Sequence, residues 1–201
     1  FQPLPFAVKP AEEADAAFRA LQASSHIGKL VIIPPKEAEG RSASPWRPAE
    51  GVAVVVGGVQ GFGHAAARWL RTQGVQRLAL LSRRGDATPG AAEALASLGD
   101  GTRAFAVDAT DAQALARTLA AIRADMGPIT AVVHAAAVFD DGTAAALDAA
   151  RVARVLEAKL LVAEHLDALT AADPVSLFLM FGSATVPVGS PGQAAYVAAN
   201  A

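Results

Sequence analysis

From residue 51 onward, apolar β-branched runs alternate with stretches of helical spacing, and this alternation restricts the possible folds more than any other feature. GVAVVV (51–56) is a continuous run of the kind a strand buried on both faces needs. RLALLS (77–82), RAFAVD (103–108), ITAVVHAAA (129–137) and PVSLFLMFGS (174–183) read as further strands. Between them, GHAAARWLRTQG, AAEALASLG, DAQALARTLAAIRADMG and a long stretch over about 144–170 read as helices. The alternation predicts an α/β fold, a doubly wound parallel sheet with helices on both faces.

The first 50 residues break this pattern. PPKEAEGRSASPWRPAE (34–50) holds four prolines and little periodicity, and reads as a linker. Residues 1–33 read as strand, helix, strand: LPFAVK, AEEADAAFRALQAS and KLVIIP. That is too little chain to bury a core of its own. The net charge of −2 over 201 residues, with no lysine and arginine stripe, gives no footprint for nucleic acid. There is no cysteine, so disulfides and thiolate metal sites are excluded. No apolar run reaches the roughly 20 residues needed to span a bilayer. FQPLPFAVKP lacks the charged and apolar regions of a signal peptide, so a soluble, cytoplasmic protein is expected.

In a doubly wound sheet, ligands gather at the C-terminal ends of the strands, and the distinctive residues fall there. VVVGGVQGFG places Gly57, Gly58, Gly61 and Gly63 between the first strand of the repeat and its helix, with Gln60 among them. Such a loop lets backbone N–H groups approach a pyrophosphate, although a glycine-rich turn can also be purely structural. LLSRRG ends the next strand with Ser82, Arg83 and Arg84. An NAD-preferring site usually carries an acid there, whereas a guanidinium suits a 2′-phosphate; a solvated charge pair is the plainer reading. Asp108 closes the following strand and can accept from an adenine amino group or serve a helix N-cap, a role for which Asp111 is better placed. VVHAAAVFDDG puts His134, Ala135 and Ala136 at the fourth rim position, where small residues let a nicotinamide or ribose lie close. With no second histidine at ligand spacing, no metal site is expected, and His134 reads as a hydrogen-bonded structural histidine.

The chain has one tyrosine, Tyr196, and Asn200 lies one helical turn beyond it. Ser183 ends the fifth strand, and Lys159, the one lysine after residue 50, sits in the apolar stretch VLEAKLLVAEHL. Brought to one pocket, these four residues make a carbonyl-reduction site. A serine hydroxyl steadies the developing oxyanion, the tyrosine supplies the proton, and a nearby ammonium favours the phenolate left behind. Asn200, behind the tyrosine, can hold the lysine.

GGVQGFG, LLSRRG, VVHAAAVFDDG, VLEAKLLVAEHL and FGSATVPVGSPGQAAYVAANA together resemble a Rossmann-like short-chain dehydrogenase/reductase. More narrowly, the chain from 51 to 201 resembles the β-ketoacyl ketoreductase domain of type I modular polyketide synthases and related fatty acid synthases. Most short-chain reductases carry a lysine four residues after the tyrosine; here Asn200 stands there and the lysine lies upstream, as in the polyketide synthase group. The resemblance implies Ser183, Tyr196, Lys159 and Asn200 as the active tetrad. It implies NADPH as cofactor, held also by Phe62 and Ala109. It implies a β-ketoacyl chain on an acyl carrier protein as substrate, and enoylreductase and dehydratase neighbours in a homodimeric megasynthase. Phe139, Asp140 and Asp141 stand where B-type ketoreductases carry Leu-Asp-Asp, and the loop before Tyr196 has no tryptophan, which implies a D-configured hydroxyl. Residues 1–33 resemble the C-terminal tail of an enoylreductase, which makes His26 structural and Lys29 a surface residue. By the same resemblance, the later strands and substrate lid lie outside this chain, so the 201 residues alone are expected to lack turnover. Val56, Gln60, Ala137 and Gly182 depart from the usual Thr, Gly, Gly and Ser. A catalytically silent, scaffolding segment is the alternative; a missing Tyr or Lys would favour it, and both are present.

Overall fold

The computed structural model describes residues 5–23, 27–33 and 46–201. They fall into two compact units, Phe1–Pro45 and Trp46–Ala201. His26 and residues 34–45 of the expected linker lie outside the described residues. No helix of the described residues is long and apolar enough to cross a membrane.

In the first unit, β1 (Phe6–Pro10) and β2 (Lys29–Ile33) pair in parallel through the crossover helix α1 (Ala14–Gln22). Ala17 is the buried apolar residue of the described part, while Phe6, Phe18 and Ile27 are exposed. This is the coreless strand–helix–strand that its length dictates. Lys29 is exposed, as expected.

The second unit is the doubly wound sheet. Its strands are β3 (Val52–Val56), β4 (Arg77–Ser82), β5 (Thr102–Ala106), β6 (Ile129–His134) and β7 (Leu177–Met180), all parallel in the order β5-β4-β3-β6-β7. Successive side chains point to opposite faces of a strand, and the core divides accordingly. Val52, Val54 and Val56 join Leu115, Leu119, Ile122 and Leu166 on one face, while Ala53 and Val55 join Ala67, Leu70, Leu80 and Leu98 on the other. The covering helices are α2 (Gly61–Thr72), α3 (Ala91–Leu98), α4 (Ala112–Met126), α5 (Ala149–Leu156) and α6 (Val162–Thr170). The short α7 (Thr185–Val188) and then α8 (Ala194–Asn200) complete it.

Three elements differ from the sequence expectation. β5 ends two residues early because Thr110 N–H and Oγ1 both bond Asp108 Oδ1 and turn the chain. β7 is shorter than 174–183: Pro174 has no N–H to give a ladder, and beyond Met180 the chain leaves the sheet toward α7. The long helix over 144–170 is not continuous. A 3-10 turn covers Ala144–Ala146, Asp148 caps a fresh start by accepting from Arg151 N–H, and a π turn, Glu157–Leu161, separates α5 from α6.

Candidate active site

β3 has β4 on one side and β6 on the other, so the crossover direction reverses at its C-terminal end. That reversal opens a crevice where ligands bind in doubly wound sheets. A cleft of about 560 Å³ lies there, lined by Gly57, Gln60, Ser82, Arg83, Asp108, Ala109, Ala135 and Ala136 among the sequence-predicted residues. Gly57 has φ +78°, and a Cβ there would come 3.0 Å from Ala136 N, so only glycine lets the loop and the β6 exit approach so closely. A Cβ on Gly63 would sit 2.1 Å from Gly57 O, which fixes the first turn of α2 beneath the loop. Gly58 packs against Leu80, and Gly61 opens α2. Gln60, in place of the usual glycine, has extended backbone at φ −139° and is unstrained; its amide donates to Pro89 O at 2.5 Å. Phe62 is exposed and stacks on Phe181 at 5.5 Å rather than lining the cleft.

The rim chemistry is suited to a dinucleotide. Arg83 makes no hydrogen bond or ion pair among the described residues, so its guanidinium is available. Ser82 Oγ lies 2.8 Å from Thr88 Oγ1. Hydrogen bonds from Thr110, and then the charge of Arg83, hold the Asp108 carboxyl below its ordinary range, so it stays an acceptor. Asp111, not Asp108, caps α4, accepting from Gln113 and Ala114 N–H. The close backbone at Gly57, the small residues at 135–137 and the guanidinium of Arg83 beside the Asp108 carboxylate are groups of the kind a dinucleotide fits. Sequence reasoning missed Thr88, Val138, Arg154 and Glu157 in the lining. Arg154, on α5, and Glu157, in the π turn, reach the lining through the packing of those elements beside the rim.

Ser183, Lys159, Tyr196 and Asn200 lie on three elements, the exit of β7, the π turn and α8, and none of the four lines the cleft itself. Ser183 follows β7; its Oγ lies 2.7 Å from Thr185 Oγ1 and accepts from Thr185 N–H at 3.2 Å. Tyr196 is on α8, which packs against α5 and the π turn, and its ring lies 4.8 Å from that of Phe139. Asn200 Nδ2 donates to Tyr196 O at 2.8 Å, and its Oδ1 is buried without a partner. Lys159 lies in the π turn at 8% exposure while its neighbour Leu160 is 55% exposed, so the turn hides the charge and shows the apolar residue. Its ammonium donates to Phe181 O, and burial lowers its pKa. Among the described residues, no hydrogen bond joins Lys159 to Tyr196 or Asn200. His134, at 1% exposure, sits behind the cleft wall, with Nε2 3.0 Å from Lys159 O.

The 139–142 loop is held from two sides. Asp140 pairs with Arg151 at 2.5 Å and Arg154 at 2.6 Å, which lowers its pKa to about 2. Gln193 Nε2 donates to Asp141 Oδ2 at 2.9 Å, and Gly142 N donates to Gly192 O at 2.8 Å.

Sheet order, glycine-rich loop and rim residues define a Rossmann-like doubly wound domain of the short-chain reductase build. A family model described as KR domain matches residues 51–201. Polyketide synthase GfsA of Streptomyces halstedii is 44% identical over 159 residues, covering 78% of this chain and 2% of that protein. Mycoketide-CoA synthase of Mycobacterium tuberculosis is 39% identical over 203 residues, covering 99% of this chain and 5% of that protein. A solved A1-type ketoreductase is 40% identical with a TM-score of 0.70, over 81% of this chain and 36% of its own. A-type ketoreductases from a modular polyketide synthase give 34% and 0.73, over 96% and 45%. The chain belongs to the KR family, the ketoreductase domains of type I modular polyketide synthases, and spans only a small share of the synthases it matches.

Proposed function

We propose that this domain reduces the β-keto group of an acyl thioester, carried on an acyl carrier protein, to the β-hydroxyl with NADPH. The observation that carries the reading is the packing of α8, which bears Tyr196, on the π turn that buries Lys159, at the same end of the sheet as the cleft lined by Gly57, Arg83 and Asp108. NADPH, when bound, supplies the hydride. Gly57 and the N-terminus of α2 would hold its pyrophosphate, Arg83 its 2′-phosphate and Asp108 its adenine amino group, and Ala135 and Ala136 would leave room for its ribose. Ser183 turns its hydroxyl from Thr185 to the substrate oxygen, and Tyr196 gives that oxygen a proton. Lys159 uses one N–H on Phe181 O and keeps two that can face the ribose and the phenolic oxygen; Asn200 Nδ2, donating to Tyr196 O, steadies the tyrosine's helix end.

The relatives are multidomain polypeptides, so the substrate arrives on a carrier and neighbouring domains process the product. Residues 1–33 fit the tail of a preceding enoylreductase: their strand pair leaves Phe6, Phe18 and Ile27 exposed, as a piece of another core would. The Phe139-Asp140-Asp141 stretch lies against Tyr196, and Val188 is exposed where an A-type enzyme has its tryptophan. The carrier arm therefore approaches from the B-type side and the hydroxyl is 3R.

Chiral chromatography of the alcohol formed from a β-ketoacyl thioester, with no dehydratase active, tests this. A 3R alcohol formed one-for-one with NADPH consumed is expected. A 3S alcohol overturns the B-type reading alone, and no alcohol overturns the reductase reading.

A further inference from the structure

His134 is nearly sealed from solvent, and the cleft does not use it. It closes a circuit of three hydrogen bonds. His134 Nε2 lies 3.0 Å from the Lys159 carbonyl, the Lys159 ammonium donates to the Phe181 carbonyl, and Phe181 N–H donates to the His134 carbonyl at 3.4 Å. The circuit joins the end of β6, the π turn and the exit of β7, two residues before Ser183. A carbonyl can only accept, so Nε2 bears the ring hydrogen and Nδ1 the lone pair. Nδ1 is buried with no partner, so this side chain makes one bond and that bond goes to the lysine backbone. The π turn is the reason the bond matters. Val162 N–H is shared between Glu157 O and Lys159 O, so the Lys159 carbonyl takes part in the irregular ladder of the π turn. π turns are often found at functional sites.

From this geometry we infer that His134 is a positioning residue: its N–H holds the π turn so that the Lys159 ammonium points to the catalytic rim, and through Phe181 it also fixes the approach to Ser183. The inference rests on the reading of Lys159 as catalytic. Burial lowers the pKa of His134, and the Lys159 charge acts in the same direction, so a neutral donor is what this position favours.

The test uses His134→Leu, His134→Gln and Lys159→Ala in the polypeptide that carries this chain, with thermal melts to verify folding. Turnover is read as kcat and KM for a β-ketoacyl thioester. A second readout is the rate of Lys159 acetylation by acetic anhydride, followed by peptide mass mapping; Lys159 is the sole lysine of residues 46–201, so its peptide is unambiguous. His134→Leu should lower kcat on the order of 10- to 100-fold, as small misplacements of catalytic groups do. It should leave KM nearly unchanged and speed the labelling. His134→Gln, which keeps an N–H donor, should restore most of both. Wild-type kcat and labelling in His134→Leu would overturn the inference, as would a Gln variant no better than Leu. If His134→Leu does not fold, a folded Gln variant decides: a protected Lys159 with near-normal kcat supports the inference, and an unprotected one overturns it. Wild-type turnover in Lys159→Ala would remove the catalytic reading and the inference together. Loss in Lys159→Ala with none in His134→Leu removes the inference alone.

Discussion

A lysine at 8% exposure, bonded to one backbone carbonyl, carries charge only at a desolvation cost. Burial holds its folded-state pKa below the ordinary 10.5. The sign of the linkage follows: between the folded and unfolded pKa values the unfolded chain binds the extra proton, so stability rises with pH there. Lys159→Met should therefore melt at a higher temperature than wild type at neutral pH, with the gap closing as pH rises toward 10.5, while activity is lost. Melting curves across that range check this, and a variant less stable at neutral pH would contradict it. Arg83 gives a second prediction. Losing a hydrogen bond to a charged group costs about 1.5–3 kcal/mol, so Arg83→Ala should weaken NADPH roughly 10- to 150-fold and leave NADH unchanged, as read by titration of each.

Elements show where a side chain serves the fold and where it serves the ligand. Asp111 caps α4, and replacing such a cap with alanine costs about 0.5–2 kcal/mol. Asp108 bonds only the Thr110 turn and faces the cleft. Asp111→Ala should thus lower the melting temperature with little effect on nucleotide affinity, whereas Asp108→Ala should weaken nucleotide binding. Denaturant titration and cofactor titration separate the two. The same distinction marks how much was legible in the sequence. Buried strands such as Val52–Val56 announce themselves because both faces must be apolar. Lys159 stands out because it is the one lysine after residue 50 and sits within the apolar run AKLLVA. The π turn around it was invisible, because one extra residue in a helix changes hydrogen bonding without changing composition. The short β7 and the contributions of Arg154 and Glu157 to the cleft depend on how elements pack, which spacing along the chain does not carry. His134 was legible as a bonded histidine, but its partner, the Lys159 carbonyl, lies 25 residues away in sequence and only the fold brings them together.

At the scale of the molecule, one parallel sheet organises the domain from Trp46 to Ala201. Its reversal beside β3 opens the cleft, its β6 and β7 exits deliver His134, the 139–142 loop and Ser183, and α8 brings Tyr196 against the turn that buries Lys159. In the proposed function these groups act together on a ketone. NADPH oxidation driven by a β-ketoacyl thioester, measured in the carrying polypeptide and in its Tyr196→Phe variant, tests this most directly. General acid catalysis is typically worth ~10²–10⁴-fold, so the variant should fold and bind NADPH normally while its thioester-dependent rate falls by that order. A Tyr196→Phe variant that oxidises NADPH at the wild-type rate would contradict the account.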